Sequence, residues 1–270
     1  MLLCCPVAAR GQIAPVIVIG QEGKDVPWVP TPDVLVDTML DMAGVTGEDF
    51  VIDLGSGDGR TVIAAARRGA RALGVELEPN LVAASRQRAI EAGVANRTEF
   101  LAADLFTVDL TPATVTTMFL LPDINTRLRP TLLKLTPGTR IVSNTWDMGG
   151  SDSDPDAPGW IADETVVLDP CPGFCTALFW IVPANVDGTW RLDGQEGDIE
   201  LTFEQQFQMA AGHLRRNGRT EDVEEGRLRG REISFRVGDA RYHGQVNDTE
   251  MTGTVRRGAS TTAWRARKTR

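Results

Sequence analysis

Two rhythms of apolar and polar residues divide this 270-residue chain. Between Phe50 and Val182, short continuous apolar runs alternate with stretches whose apolar residues recur every third or fourth position. The short runs, bounded by turn residues, are what strands buried on both faces look like, and the wider spacing marks one face of a helix. The pattern predicts strands over 50–54 and 71–76, around Thr98 to Leu101, from Val115 to Leu121 and from Thr139 to Trp146. Helices are predicted over 60–68 and 79–92, and another carries Ile124, Leu128, Leu132 and Leu135 on one face. Ahead of these, Thr31 reads as an N-cap with Pro32 at the first helical position. Val36, Met39, Leu40 and Ala43 then share a face, and Gly44 marks the stop. Such βα alternation argues for an α/β fold, a parallel sheet with helices on both faces. Residues 148–159, rich in Asp, Gly, Pro and Ser, read as a loop, and Glu164 to Leu168 with Thr176 to Val182 as a hairpin closing the sheet.

From Gly188 the period becomes two. Ile199, Leu201, Phe203, Phe207 and Met209 hold odd positions, while Glu200, Thr202, Glu204, Gln206 and Gln208 hold even ones, which is a strand pattern with one wet face. Ile233, Phe235 and Val237 repeat it. Gly226-Arg227-Leu228 with Glu232-Ile233 is echoed 18 positions later by Gly244-Gln245-Val246 with Glu250-Met251. Two similar hairpin units predict an antiparallel meander, a small barrel or sandwich closing with Trp264 and containing no helix. His213, His243 and Tyr242 are scattered through this half and read as packing or surface residues.

The densest chemistry lies in Val51-Ile52-Asp53-Leu54-Gly55-Ser56-Gly57-Asp58-Gly59-Arg60. A buried strand ends at an acid and feeds a turn too tight for side chains, after which a helix starts near Gly59 with its amides facing the turn. The spacing is Gly-x-Gly-x-Gly. A dinucleotide-pyrophosphate fingerprint would place its third glycine where Arg60 stands, and that bulk would hinder close helix–strand packing. With Asp53 ahead of it, the turn suits a ligand joining an amino acid to a nucleoside, for which S-adenosylmethionine is the candidate. Glu76, at the tip of the second strand, has the carboxylate geometry to accept both ribose hydroxyls, whereas Glu78 lies beyond the tip. After the third strand, Asp104 is placed to accept from an adenine amino group, with Leu105 and Phe106 near the ring face. The fourth strand ends in Phe119-Leu120-Leu121-Pro122, where an acceptor channel would open. Phe119, Leu121 and Pro122 are the rim candidates, Leu120 reads as core, and no side chain stands out as a general base.

At these residues, across about Val26 to Ala184, the chain resembles class I S-adenosylmethionine-dependent methyltransferases. A closer resemblance rests on Val29-Pro30-Thr31-Pro32, Asp53 to Arg60, Leu120-Leu121-Pro122 with Asn125, and Pro137-Gly138-Thr139-Arg140-Ile141-Val142-Ser143. There the chain is similar to the small seven-strand protein-lysine methyltransferases of mitochondria and their bacterial relatives. The resemblance implies a Rossmann-like methyltransferase sheet over 26–184, and the period-two alternation beyond it predicts an all-β domain over 185–270. It implies S-adenosylmethionine as cofactor and a cofactor role for Thr31 and Trp28, beside Asp53, Gly55, Ser56, Gly57, Gly59, Glu76, Leu77, Asp104 and Leu105. The pattern departs at Asn144-Thr145-Trp146, where such proteins tend to carry a histidine after the serine. A lysine amine of a protein is the acceptor the resemblance implies. The alternatives are a small-molecule acceptor, or a non-catalytic cofactor-binding protein whose β module binds a partner.

Charge and composition narrow the partners. The net charge is −9 and uneven: from Asn185 onward 15 Arg+Lys face 14 Asp+Glu, leaving 13 against 23 upstream. An acidic catalytic half lacks the main attraction for a phosphate backbone, so a nucleic-acid substrate is not expected. No apolar run reaches the roughly 20 residues of a membrane span. Residues 1–25 read as a disordered or misassigned start with signal-like features, and a cytoplasmic location is expected, export being the alternative. No metal site is expected, since Cys171 and Cys175 bracket a turn far in sequence from either histidine. That pair is expected to be ordinary thiols unless the protein is exported.

Overall fold

A computed structural model describes residues 29–149, 158–171, 173–193 and 199–269. Trp28, the start of the chain and most of the 148–159 loop therefore lie outside the described residues. The first module alternates α1 (Asp33–Met42), β1 (Phe50–Leu54), α2 (Arg60–Arg67), β2 (Arg71–Glu76), α3 (Pro79–Glu91), β3 (Thr98–Ala102), β4 (Val115–Met118), α4 (Pro122–Leu132) and β5 (Arg140–Asn144). A hairpin of β6 (Glu164–Val167) and β7 (Thr176–Ile181) completes a seven-stranded sheet in the order β3-β2-β1-β4-β5-β7-β6. β1 to β5 run parallel, and β7 lies antiparallel to both β5 and β6.

Alternation within each strand separates two cores. Val51, Val142 and Phe179 join Leu35, Val36, Val62 and Val82 beneath α1, α2 and α3, while Ile52, Ile141 and Trp180 join Leu128 and Leu132 of α4 on the other face. Burial on both faces explains why these strands read as continuous apolar runs.

Several boundaries differ from the sequence expectation. Thr31 does not cap α1: Pro32 is the N-cap residue, and its carbonyl accepts from the N–H groups of Leu35 and Val36. β4 stops at Met118 instead of Leu121, and Leu121 becomes the N-cap of α4, with Pro122 at its first position. β5 stops at Asn144 instead of Trp146, because Thr145 turns to φ 62°. Leu135 lies past the end of α4 yet remains buried.

The second module is a closed antiparallel barrel of eight strands: β8 (Gly188–Leu192), β9 (Ile199–Gln206), β10 (Met209–Arg216), β11 (Arg219–Arg229), β12 (Glu232–Val237), β13 (Ala240–Asn247), β14 (Glu250–Arg257) and β15 (Ser260–Lys268). The 18-residue echo is two successive hairpins, with Leu228 opposite Ile233 and Val246 opposite Met251. Trp190, Leu201, Phe203, Phe235, Tyr242 and Trp264 fill the interior, and the Phe235 and Tyr242 rings stack at 4.5 Å.

The odd-numbered alternation fails at one place. Phe207 is in the β9–β10 turn at φ 52°, and Met209 is exposed. Phe207 leaves the barrel and stacks on Trp160 of the first module, with the Arg129 guanidinium over its ring. Arg227 pairs with Asp163 at 2.7 Å, Gln208 donates to the Ile161 carbonyl, and the Ala184 N–H donates to the Gly230 carbonyl. The barrel is thus seated against the β6–β7 edge and the segment following β5. No helix among the described residues is long and apolar enough to cross a membrane.

Candidate active site

A cavity of about 710 Å³ opens at the C-terminal ends of β1, β2 and β4. Thr31, Asp53, Gly55, Ser56, Gly57, Glu76, Leu77, Asp104, Leu105, Phe119, Leu121 and Pro122 all line it. This is the crevice that a parallel α/β sheet leaves beyond its strand ends.

The glycine turn forms its floor. The N–H groups of Gly55 and Ser56 donate to the Val75 carbonyl at 2.9 and 3.0 Å, closing the turn on the end of β2. Gly57, at φ 53°, donates its N–H to Glu76 Oε2 at 2.9 Å, and Glu76 Oε1 accepts from the Glu78 N–H at 3.0 Å. Each oxygen keeps a further lone pair for a ligand hydroxyl. Gly59, alone among the described residues expected at the cofactor, does not line the cavity. It sits at φ 78° as the N-cap of α2, and a Cβ there would come within 2.8 Å of Phe100 and Ser85. Gly59 therefore supplies the close helix–sheet packing.

Arg60 does not hinder that packing, because its side chain leaves the interface. Its Nε and Nη2 donate to the two oxygens of Asp58, and Nη1 donates to the Thr31 carbonyl at 2.9 Å and to Asp33. Arg88 also pairs with Asp58. Burial pushes the Asp58 carboxyl up, but the two guanidiniums outweigh it and hold the group below its usual range. Arg60 thereby ties the Val29–Thr31 wall to the first turn of α2. Asn144, at the departure from the lysine-methyltransferase pattern, reinforces this wall by donating to Thr31 Oγ1 at 3.2 Å.

Asp53 is a different kind of carboxylate. Burial raises its pKa to about 7, reinforced by the charges of Glu76 and Asp58, although the Thr117 hydroxyl donates to it at 2.7 Å. No guanidinium or ammonium among the described residues accompanies it, so a cation placed in the cavity would favour its ionised form.

The Asp104 side of the cavity is less enclosed. Asp104 is exposed, and its Oδ1 accepts from the Phe106 N–H at 2.9 Å. The Arg127 guanidinium lies 3.7 Å over the Phe106 ring, and both residues line the cavity. At the opposite side the rim is aromatic: Phe119, Trp146 and Phe174, joined by Asp123 of α4. Asn125 Nδ2 donates to the Trp146 and Asp147 carbonyls at 3.0 and 3.2 Å, and Ser143 Oγ donates to the former at 2.6 Å. The Leu-Leu-Pro…Asn and Pro-Gly-Thr-Arg-Ile-Val-Ser segments thus meet to position Trp146.

Sequence reasoning missed Arg127, Asp123 and Phe174. Arg127 falls one turn beyond Asp123 on the same helix, a spacing that could have suggested it. Phe174 carries no such signal, because only the hairpin carries it back across the sheet. It lies between Cys171 and Cys175, which form a disulfide, contrary to the expectation of free thiols.

A Rossmann-like sheet in this strand order, with a glycine turn facing an acid at the tip of β2, defines a class I S-adenosylmethionine-dependent methyltransferase. The comparisons agree. The profile of the ANTKMT methyltransferase domain family matches residues 53–155. A protein-lysine N-methyltransferase of Saccharolobus islandicus (strain REY15A) is 42% identical over 128 residues, covering 46% of this chain and 80% of that protein. An adenine nucleotide translocase lysine N-methyltransferase of Mus musculus is 36% identical over 126 residues, a match that spans 46% of this chain and 54% of the mouse protein. Among solved structures, an RNA methyltransferase from Salinibacter ruber in complex with S-adenosyl-L-homocysteine superposes with a TM-score of 0.53. It is 46% identical, and the match covers 58% of this chain and 96% of that one. The chain belongs to the class I S-adenosylmethionine-dependent methyltransferases, among relatives of the protein-lysine N-methyltransferase kind.

Proposed function

We propose that the enzyme transfers the methyl group of S-adenosylmethionine to the side-chain amine of a lysine in a protein substrate. The observation that carries this reading is the lining of the cavity, which combines six carboxylate residues, two arginines and an aromatic rim. Asp53, Asp58, Glu76, Glu78, Asp104 and Asp123 face Arg60 and Arg127 there, and both arginines are engaged, with Asp58 and with the Phe106 ring. Such a field attracts cations and opposes a phosphate backbone. The lysine-methyltransferase names of the Saccharolobus and mouse relatives support the same acceptor, whereas the Salinibacter protein is named an RNA methyltransferase.

The residues fit the cofactor. Glu76 would take the ribose hydroxyls, Asp104 and Leu105 the adenine, and Thr31, Asp53 and the Gly55–Gly57 turn the methionine end. Gly59 would serve only by letting α2 approach the sheet. When bound, S-adenosylmethionine supplies a methyl group on a positively charged sulfur, already activated for displacement. The protein's share is then positioning, with the nucleophile held in line at short range. A lysine amine is ordinarily protonated at neutral pH. The apolar surfaces of Phe119, Leu121 and Pro122 would disfavour its charge by desolvation, and Asp123 at the mouth would draw the ammonium in before the proton leaves to water.

The test is incubation of the enzyme with methyl-labelled cofactor and a cell lysate, followed by fractionation and mass spectrometry. Label on lysine residues of protein is the expected result. Label in RNA or in small molecules alone would overturn the proposal.

A further inference from the structure

The aromatic rim is assembled from three distant places: Phe119 after β4, Trp146 after β5 and Phe174 in the β6–β7 connection. Phe174 is the piece that joins them, with its ring centroid 5.5 Å from that of Phe119 and 6.3 Å from that of Trp146. The other two have firm supports. Phe119 directly follows a sheet strand, and Trp146 is pinned through its carbonyl by Asn125 and Ser143. Phe174 instead sits in a surface loop, 46% exposed, at φ 54°. Residues with a Cβ avoid that conformation, so the loop must be held from outside to keep the ring where it is. The Cys171–Cys175 disulfide encloses Phe174 within a five-residue ring of chain. Immediately beyond it, the Thr176 carbonyl accepts from the Thr145 N–H at 2.7 Å, linking this loop to the residue before Trp146.

We propose that Phe174 is a specificity-determining wall of the acceptor channel, and that the Cys171–Cys175 disulfide latches it there, so that methyl transfer depends on the redox state of this pair. The inference rests on the acceptor channel described above. Cys171 is exposed and Cys175 buried, so the outer sulfur is the one an external thiolate reaches. Attack there forms a mixed disulfide and expels the Cys175 thiolate, which takes a proton. A second external thiol then displaces Cys171, leaving two protein thiols and one oxidised thiol pair. The reverse exchange with a low-molecular-weight disulfide re-forms the latch. Reduction frees the loop to leave its left-handed turn, and the Phe119–Phe174–Trp146 contact opens.

The experiment compares full-length enzyme, oxidised or reduced with dithiothreitol, in three measurements. Methyl transfer to poly-L-lysine is expected to fall about twofold to tenfold on reduction, the range that losing an aromatic pair implies. Affinity for S-adenosylhomocysteine, measured by calorimetry, is expected to stay constant. Hydrogen exchange is expected to speed up in peptides spanning 144–147 and 173–177 but not around Gly57. The Cys171→Ser/Cys175→Ser enzyme should match the reduced state and ignore dithiothreitol, and Phe174→Ala should be slow in both states. Measurable but equal transfer rates in the two redox states, or unchanged exchange at 144–147 and 173–177, would overturn the latch. Redox-dependent exchange with no transfer to lysine in either state would instead remove the lysine reading and leave the latch standing.

Discussion

Glu76 at the tip of β2 accepts the backbone N–H of Gly57 at 2.9 Å, so the acid proposed to hold the ribose also braces the glycine turn. Binding and backbone shape are coupled through one side chain. Glu76→Ala should therefore weaken S-adenosylhomocysteine binding by about tenfold to a hundredfold, as expected for losing hydrogen bonds to a charged group. Glu76→Gln, which keeps one acceptor oxygen, should lose less. Calorimetry decides it, and equal affinity for Glu76→Ala and the parent would remove Glu76 from the site.

Asp53 gives the pH dependence a sign. Its pKa is raised from 3.8 to about 7, chiefly by burial. Between those values the native state holds a proton that the unfolded chain has released, so the Asp53 contribution to stability declines as pH rises through the window. The loss is complete above about pH 7 and amounts to at most about 4 kcal/mol. Asp53→Asn should thus be more stable than the parent at about pH 8 and nearly equal at about pH 4, as thermal melts of the ligand-free proteins would show. A difference between the two proteins that does not change with pH would contradict this. Cofactor affinity of the parent should rise over the same window, because the ionised carboxylate favours a cationic ligand.

Gly57 allows a sharper separation of the two modules. At φ 53° an arginine would be strained and would project into the cavity. Gly57→Arg is expected to abolish cofactor binding while the barrel, with its own buried core of Trp190, Phe203, Phe235 and Trp264, keeps its β circular-dichroism signal. Retained affinity would refute the placement of the turn.

Arg60 links Asp58 of the glycine turn to the Thr31 carbonyl. Arg60→Ala should release the Val29–Thr31 wall and weaken cofactor binding by about tenfold, the usual scale of one charge-assisted hydrogen bond. Arg60→Lys should recover little, since an ammonium cannot fork between Asp58 and Thr31. Full rescue by lysine would show that charge alone matters.

Much of the first module is legible in the chain because its signals are local. Pro79 and Pro122 open helices where the missing N–H costs nothing, and the Asp53–Gly59 run states its own turn. Glu76, Asp104 and the Phe119–Pro122 segment could be found because strand tips in a parallel sheet converge on one edge. The errors fall where distant contacts overrule local preference. Arg60 looked obstructive until Asp58, Asp33 and Thr31 drew its side chain away from the sheet. Phe207 fitted a strand alternation, yet Trp160 and Arg129 hold it outside the barrel.

Local periodicity and backbone-specific residues thus determined the α/β class, the antiparallel β tail and the glycine turn, because they act through neighbours in sequence. Only the tertiary structure decided that the tail closes as a barrel against the β6–β7 edge, that Cys171 and Cys175 are bonded, and that Phe174 meets Phe119 and Trp146. Those outcomes depend on which surfaces meet once the sheet has formed, and an order of residues does not state such pairings.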